Sequence, residues 1–148
     1  MTERVDFYLL ASAQVQVRHH FACRLAEKAY LQQLGVTVLV ADDHQARALD
    51  ELLWTFNDRS FVPHEILTPG QQADGHTAVY IALDPATPPR ADFVLNLAGC
   101  APEALQRFGR IAEILGNDPQ AIELGRERFR SYRASRLEPQ THNIGAGT

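Results

Sequence analysis

Side chains able to do chemistry are few in this 148-residue chain, and their spacing suits chemistry poorly. His19 and His20 are neighbours, as are Asp42, Asp43 and His44, and both groups invite a metal ion. Adjacent residues on a helix point about 100° apart, so a His–His pair rarely shares one ion. Surface or capping roles suit both groups better. Neither HExxH nor CxxC occurs. Cys23 falls in a predicted helix and Cys100 just past an apolar strand, the usual settings of buried free thiols. Ser12 and Ser60 lack the GxSxG elbow of a nucleophile. A phosphate cradle needs glycines between the first strand and the first helix, so that backbone N–H groups can approach the ligand. That stretch reads ASAQVQV, and neither GxGxxG nor GxxxxGK[ST] occurs anywhere. Asp42 and Asp43 end a strand where a ribose-binding acid would sit, but without the cradle helix capping fits them better. No active site, metal or cofactor is expected from these residues.

Two surfaces stand out instead. The segment DPQAIELGRERFRSYRASR carries Arg126, Arg128, Arg130, Arg133 and Arg136, five of the fourteen basic residues of the chain. Wound as a helix, it gathers Ile122, Arg126, Phe129, Arg130 and Arg133 within roughly a 100° arc. Ala121, Leu124, Gly125 and Tyr132 turn to another side, which is expected to face a sheet. An apolar pair among guanidinium groups suits a ligand that is acidic along its length and apolar at one end, such as a peptide tail with a terminal carboxylate. A basic helix simply solvated on its outside, with Glu123 and Glu127 as local partners, accounts for the same pattern. Direct binding of single-stranded DNA is a third reading. A net charge of −4 and one lysine, Lys28, against thirteen arginines weigh against it.

The second surface lies in LDELLWTFNDRSFVPH. Leu49, Leu52, Leu53 and Phe56 form the expected buried stripe of a helix, and Trp54 falls about 130° from its centre, beside Arg47 and Asp50. A sole tryptophan on a polar helix face, followed by Phe61, Val62 and Pro63, has the composition of a protein–protein hot spot. Burial of Trp54 beneath the following loop is the competing reading.

The elements that must hold these surfaces follow from periodicity. Arg4–Leu10 reads as a strand, and residues 18–34 as a helix with Phe21, Ala22, Leu25, Ala26 and Ala29 on its apolar side and Gly35 at its end. Residues 36–41 form an apolar run typical of a strand covered on both faces. A helix follows, capped by Asp42 or Asp43 and running to about Phe56. An irregular edge is expected around Pro63, then loop 68–77, strands at 78–83 and 92–98 separated by a proline-rich loop, a helix at 101–116, and the arginine-rich helix from Pro119 to about Arg136. The fold class is α/β, a three-layer α/β/α domain over residues 1–138 with a mostly parallel sheet, Rossmann-like but without a nucleotide site. Residues 139–148 are expected as a flexible C-terminal tail. With 45% hydrophobic and 22% charged residues, the chain is long enough for one core and too short for two domains with a cleft between them. A first strand that starts almost at once, and no apolar run near the roughly 18 residues of a membrane span, point to the cytoplasm. A nucleotide-binding enzyme on the same fold is the rival from another class.

The opening VDFYLL, the run VTVLVADDHQARALDELLWTFNDRSFVPH and the closing RERFRSYR resemble the chi subunits of bacterial DNA polymerase III. The likeness spans nearly the whole chain, and LDELLW…SFVPH is its most specific part. The resemblance implies an accessory subunit of the clamp-loader complex without enzymatic activity, nucleotide site or cofactor of its own. It implies a one-to-one partnership with the psi subunit, and binding of the acidic, phenylalanine-ended C-terminal tail of single-stranded DNA-binding protein. DNA is then met only indirectly. By position, Trp54, Phe61, Val62 and Pro63 fall on the family's psi-facing surface. Arg126, Phe129 and Arg130 fall on its tail-binding helix, to which the helical wheel adds Ile122 and Arg133. The family pattern has a basic residue at Ile122 and a tyrosine at Phe129, so one charge and one hydroxyl are missing here.

Overall fold

The computed structural model describes residues 2–59, 61–71, 73, 77–89 and 92–145. Ser60, parts of loops 68–77 and 84–91, and the last three residues of the expected tail lie outside the described residues. Among the described residues, seven strands form one sheet in the order β3-β4-β2-β5-β6-β1-β7. They are β1 (Arg4–Leu10), β2 (Val36–Leu39), β3 (His64–Leu67), β4 (Val79–Ala82), β5 (Phe93–Asn96), β6 (Arg110–Leu115) and β7 (Gln140–Ile144). Every neighbouring pair is parallel. The parallel α/β class expected from the sequence is therefore what forms. β2, β4 and β5 are buried along their whole length, as continuous apolar runs under helices on both faces should be.

Two helices, α1 (Val15–Leu31) and α2 (Asp43–Thr55), enclose one apolar core built on Ala22, Ala26, Leu49, Leu53, Val38 and Ile81. On the opposite face, α3 (Pro119–Ala134) and a 3-10 turn at Pro102–Leu105 cover a second core of Phe7, Val94, Leu105, Phe108, Ile111 and Tyr132. Asp42 caps α2 as expected, its Oδ1 accepting from the Gln45 N–H at 2.8 Å. The Gln45 side chain answers by accepting from the Ala41 N–H, a reciprocal capping arrangement.

Three sequence expectations are corrected. Residues 101–116 form no α-helix; they make the 3-10 turn and then β6. The charged pair Arg110 and Glu113 imitates the polar side of an amphipathic helix, but β6 lies between β5 and β1 and buries Glu113 completely. Nor is the whole segment 139–148 a free tail, because Gln140–Ile144 pairs with β1 over five residues. Its side chains carry little apolar signal. Backbone pairing, Ile144 packed against the first core and one polar contact hold it: His142 Nε2 lies 2.8 Å from Asp6 Oδ1, and its ring stacks on Tyr8 at 4.9 Å.

The third correction concerns how the helices end. Gly35 does not terminate α1; Gln33 does, at φ +66°. The Gln33 N–H donates to the Tyr30 carbonyl and the Leu34 N–H to the Ala29 carbonyl, a Schellman pattern. α3 stops in the same way. Arg136 sits at φ +67°, with its N–H on the Arg133 carbonyl and the Leu137 N–H on the Tyr132 carbonyl. A left-handed non-glycine residue costs about 1–2 kcal/mol. Leu137, packed into the second core, offsets that cost and sends the chain back along β1 as β7.

Candidate functional site

Asp118 caps α3 by accepting from the Ala121 N–H at 3.1 Å, and Pro119 opens it without spending a donor. What fixes its rotation is a buried polar cluster. Glu113 of β6 accepts from Arg128 Nε at 3.0 Å, from the Tyr132 hydroxyl at 2.6 Å and from Asn96 Nδ2 at 2.9 Å. Burial, and then the Glu113 carboxylate, hold the Tyr132 hydroxyl firmly protonated and donating. At Gly125 the helix lies so close to the sheet that a Cβ would collide with the Leu115 side chain. A mid-helix glycine costs about 1 kcal/mol against alanine, and close packing is its return here.

Held at that rotation, α3 leaves an apolar groove of about 300 Å³ between itself and the outer strands β1 and β7. Phe7, Leu9, Leu115, Ile122, Phe129 and Thr141 line it, and Arg126 stands at its edge. Phe129 is not on the outer helix face that its arginine neighbours suggested. It is half-buried, its ring 5.2 Å from that of Phe7. Arg126 and Arg130 are exposed and share an adjoining hollow with Ile122, Pro119 and Glu123. Arg133 is exposed but lines neither space. Leu124, expected against the sheet, is 45% exposed. Nothing in the residue pattern pointed to Phe7, Leu9 or Thr141 in this site. Gly125 was a signal, since a glycine inside a helix implies a close neighbour.

The second surface is aromatic. Trp54 and Phe61 are each 57% exposed, with ring centroids 5.1 Å apart. The loop does not bury Trp54. Below it, His64 meets the indole edge-on at 5.0 Å. His64 is itself tied down, with Nδ1 2.7 Å from the Val62 carbonyl oxygen and Nε2 3.2 Å from that of Asp50. Val62 corrects the sequence reading: it is fully buried in the core beneath α2 and is no contact residue, because the chain alternates sides after Phe61. Pro63 is half-buried at the start of edge strand β3. Trp54 and Phe61 remain as the presented pair.

Of the groups that invited metal or phosphate chemistry, Asp42, His19 and His20 have structural partners. His19 is buried and pairs with Gln45 Nε2 at 3.2 Å; burial, then nearby Arg18, push its pKa down. His20 faces Phe56 edge-on. Burial pushes the Cys23 thiol up to about 12, and no metal-binding group of three is found among the described residues. α1 leaves β1 toward one face of the sheet and α3 leaves the adjacent β6 toward the other, creating the crevice where doubly wound folds bind ligands. Arg18 reaches into it, donating to the Ile114 and Leu97 carbonyls at 2.8 and 2.9 Å. It ties the ends of β5 and β6 to α1. Burial, then Arg128, lower the pKa of this guanidinium.

Comparison with solved structures supports the α/β architecture. T4 UvsW matches with a TM-score of 0.68 at 10% identity, over 95% of this chain and 41% of that one. Domain 2 of the DEAD-box helicase Mss116p, solved on an RNA duplex, matches with a TM-score of 0.62 at 9% identity, over 96% and 66%. Such identities speak for architecture alone. Sequence comparison goes further. The chain is 36% identical to the DNA polymerase III subunit chi of Pseudomonas aeruginosa, over 95% of this chain and 96% of the relative. It is 28% identical to that of Haemophilus influenzae, over 98% and 100%, and 27% identical to that of Escherichia coli, over 90% and 92%. The model of the family described as DNA polymerase III chi subunit, HolC, matches residues 1–140. The chain therefore belongs to the chi subunit family of DNA polymerase III, a family of replication subunits.

Proposed function

We propose that this chain is a non-catalytic bridge in the bacterial replisome, acting in the cytoplasm and without a cofactor. One surface takes the acidic, aromatic-ended C-terminal tail of single-stranded DNA-binding protein. The other takes the psi subunit, and through it the clamp loader. The observation that carries the proposal is the apolar groove beside α3 with Arg126 and Arg130 at its edge. A ring seated against Phe7, Phe129 and Ile122 leaves the tail's carboxylates beside these two guanidinium groups. Opposite charges speed encounter, and apolar seating lengthens residence. Arg130 sits one helical turn beyond Arg126, so acidic residues preceding the ring meet a second cation in succession. Ile122 replaces a charge with apolar wall, which shifts recognition here toward seating rather than ion pairing. Arg133 stands apart from the groove and contributes long-range attraction only. The Trp54–Phe61 pair, held from below by His64 and backed by Val62 and Pro63, supplies the rigid aromatic anchor for psi.

Titration calorimetry with a tail peptide tests the first surface. Arg126→Ala is expected to cost about 1–3 kcal/mol of binding. Unchanged affinity in that variant would remove the groove from the proposal.

A further inference from the structure

The two edges of the sheet differ in the charge they carry. β3, at one end, spans four residues, follows Pro63 and carries Glu65. β7, at the other end, follows Pro139 in the same way but reads Gln-Thr-His-Asn-Ile, with no lysine and no carboxylate within it. Natural edge strands are usually blunted by charge, proline or a bulge, because an open ladder pairs with any extended chain. Beyond the proline at its start, β7 has none of those devices and keeps regular pairing with β1 through all five residues.

The direction of its free backbone groups follows from register. The Ala11 N–H donates to the Ile144 carbonyl, which points Ile144 toward β1. In a parallel ladder every second residue shares that direction, so Gln140 and His142 also face β1. Thr141 and Asn143 therefore aim their N–H and C=O groups outward, and no strand lies beyond them among the described residues. The strand is also flanked by a hollow on each sheet face. On the α3 side the apolar groove includes Thr141. On the α1 side a second hollow is lined by Ile144, Phe21, His20 and Arg24.

We infer that the acidic tail binds as an added strand along the outer edge of β7, pairing with the backbone of Thr141 and Asn143. This rests on the tail-binding proposal and deepens it. Side chains of an extended peptide alternate between the faces of the sheet it joins. One set, including the aromatic ring, enters the groove under α3; the other set faces Arg24. Cations then lie on both sides of the strand, Arg126 and Arg130 on one and Arg24 on the other, which matches a peptide acidic at successive positions. A peptide lying in the α3 groove alone would never meet Arg24, because α1 and α3 cover opposite faces of the sheet.

The test uses the full chain and a synthetic acidic peptide ending in phenylalanine, with affinity read by calorimetry. Asn143→Pro removes an outward N–H and none that faces β1, a change that edge strands tolerate. It is expected to weaken binding about tenfold, and Arg24→Glu several-fold. Should Asn143→Pro lower the melting temperature, peptides N-methylated at single positions replace it against the unaltered chain. Sensitivity at alternate positions is expected there, and uniform tolerance overturns the added strand. Affinity that falls with Arg126→Ala but is unchanged by Asn143→Pro or by Arg24→Glu overturns strand addition and leaves the groove standing. No binding of the peptide to the unaltered chain overturns both.

Discussion

The groove beside α3 and the Trp54–Phe61 face are built on different physics. The groove is assembled from α3, β1 and β7, elements far apart in sequence, and has an apolar floor with charges at its edge. The aromatic face comes from one short stretch, residues 50–64, with two exposed rings tilted against each other and a buried histidine side chain meeting the indole edge-on. A preformed aromatic pair loses little conformational freedom on binding and gains mostly by excluding water, which favours slow dissociation. Long arginine side chains around a groove attract at a distance but must be ordered on binding, which favours fast, salt-tuned exchange. Under the proposed function the labour divides: one surface is shaped to hold a partner, the other to catch and release one.

That contrast can be broken from below. Glu113→Ala leaves the Arg128 guanidinium and the Tyr132 hydroxyl facing an apolar interior without their acceptor. Removing one partner of a buried ion pair costs about 3–5 kcal/mol, so a clear fall in denaturation midpoint is expected. Because the cluster sets the rotation of α3, peptide binding should fall with it while the Trp54 face is spared. Equal damage to both surfaces would mean that the two are not mechanically separate.

Truncating the indole is the sharper cut on the other side. Trp54→Ala is expected to cost about 2–4 kcal/mol of psi binding, the range of a central aromatic hot spot. Loss of psi on co-purification, with the melting temperature and tail affinity retained, is the expected result. Retained psi would show that the exposed pair is not the anchor. The Arg126→Ala loss in the groove should be smaller than this, and confined to the tail.

Salt separates the surfaces without mutation. Raising ionic strength from about 0.05 to 0.5 M should weaken peptide binding severalfold and leave psi binding nearly constant. Parallel salt dependence at both would contradict the contrast between them.

The smallest effect expected is a matter of pH. His19, packed between α1 and α2, has its pKa lowered by burial and then by Arg18. The unfolded chain then binds a proton that the folded chain resists, so this residue's contribution is lost as pH falls below the ordinary histidine value of 6.5. Melting temperatures should rise with pH through that window, and more steeply in the unaltered chain than in His19→Gln. Identical slopes would show that His19 does not carry the dependence.

Much of the molecule was readable from its residues because the signals are local. Continuous apolar runs gave β2, β4 and β5, Asp42 gave the start of α2, and Pro119 gave that of α3. Trp54 and Phe61 were legible too, since an aromatic on the polar side of a helix breaks the pattern around it. β6 was missed because a buried glutamate imitates an exposed one until Arg128, Tyr132 and Asn96 are brought to it. β7 was missed because a strand held by backbone bonds and one histidine carries no alternation to read. Val62 was misassigned because its neighbours in sequence point the other way.

What the sequence determined by itself was composition and local bias: an α/β chain, an arginine-rich last helix, an unguarded aromatic and the family to which the whole belongs. Tertiary structure alone decided which side of that helix meets the sheet. The choice rests on Gly125 approaching Leu115 and on Glu113 drawing in Arg128 and Tyr132, contacts between residues distant in sequence. Tertiary structure also decided that the chain's end returns as β7 and walls the groove. A helical wheel places Ile122, Arg126 and Phe129 on one arc; only packing turns that arc over Phe7 and Thr141, where an apolar wall meets an exposed guanidinium.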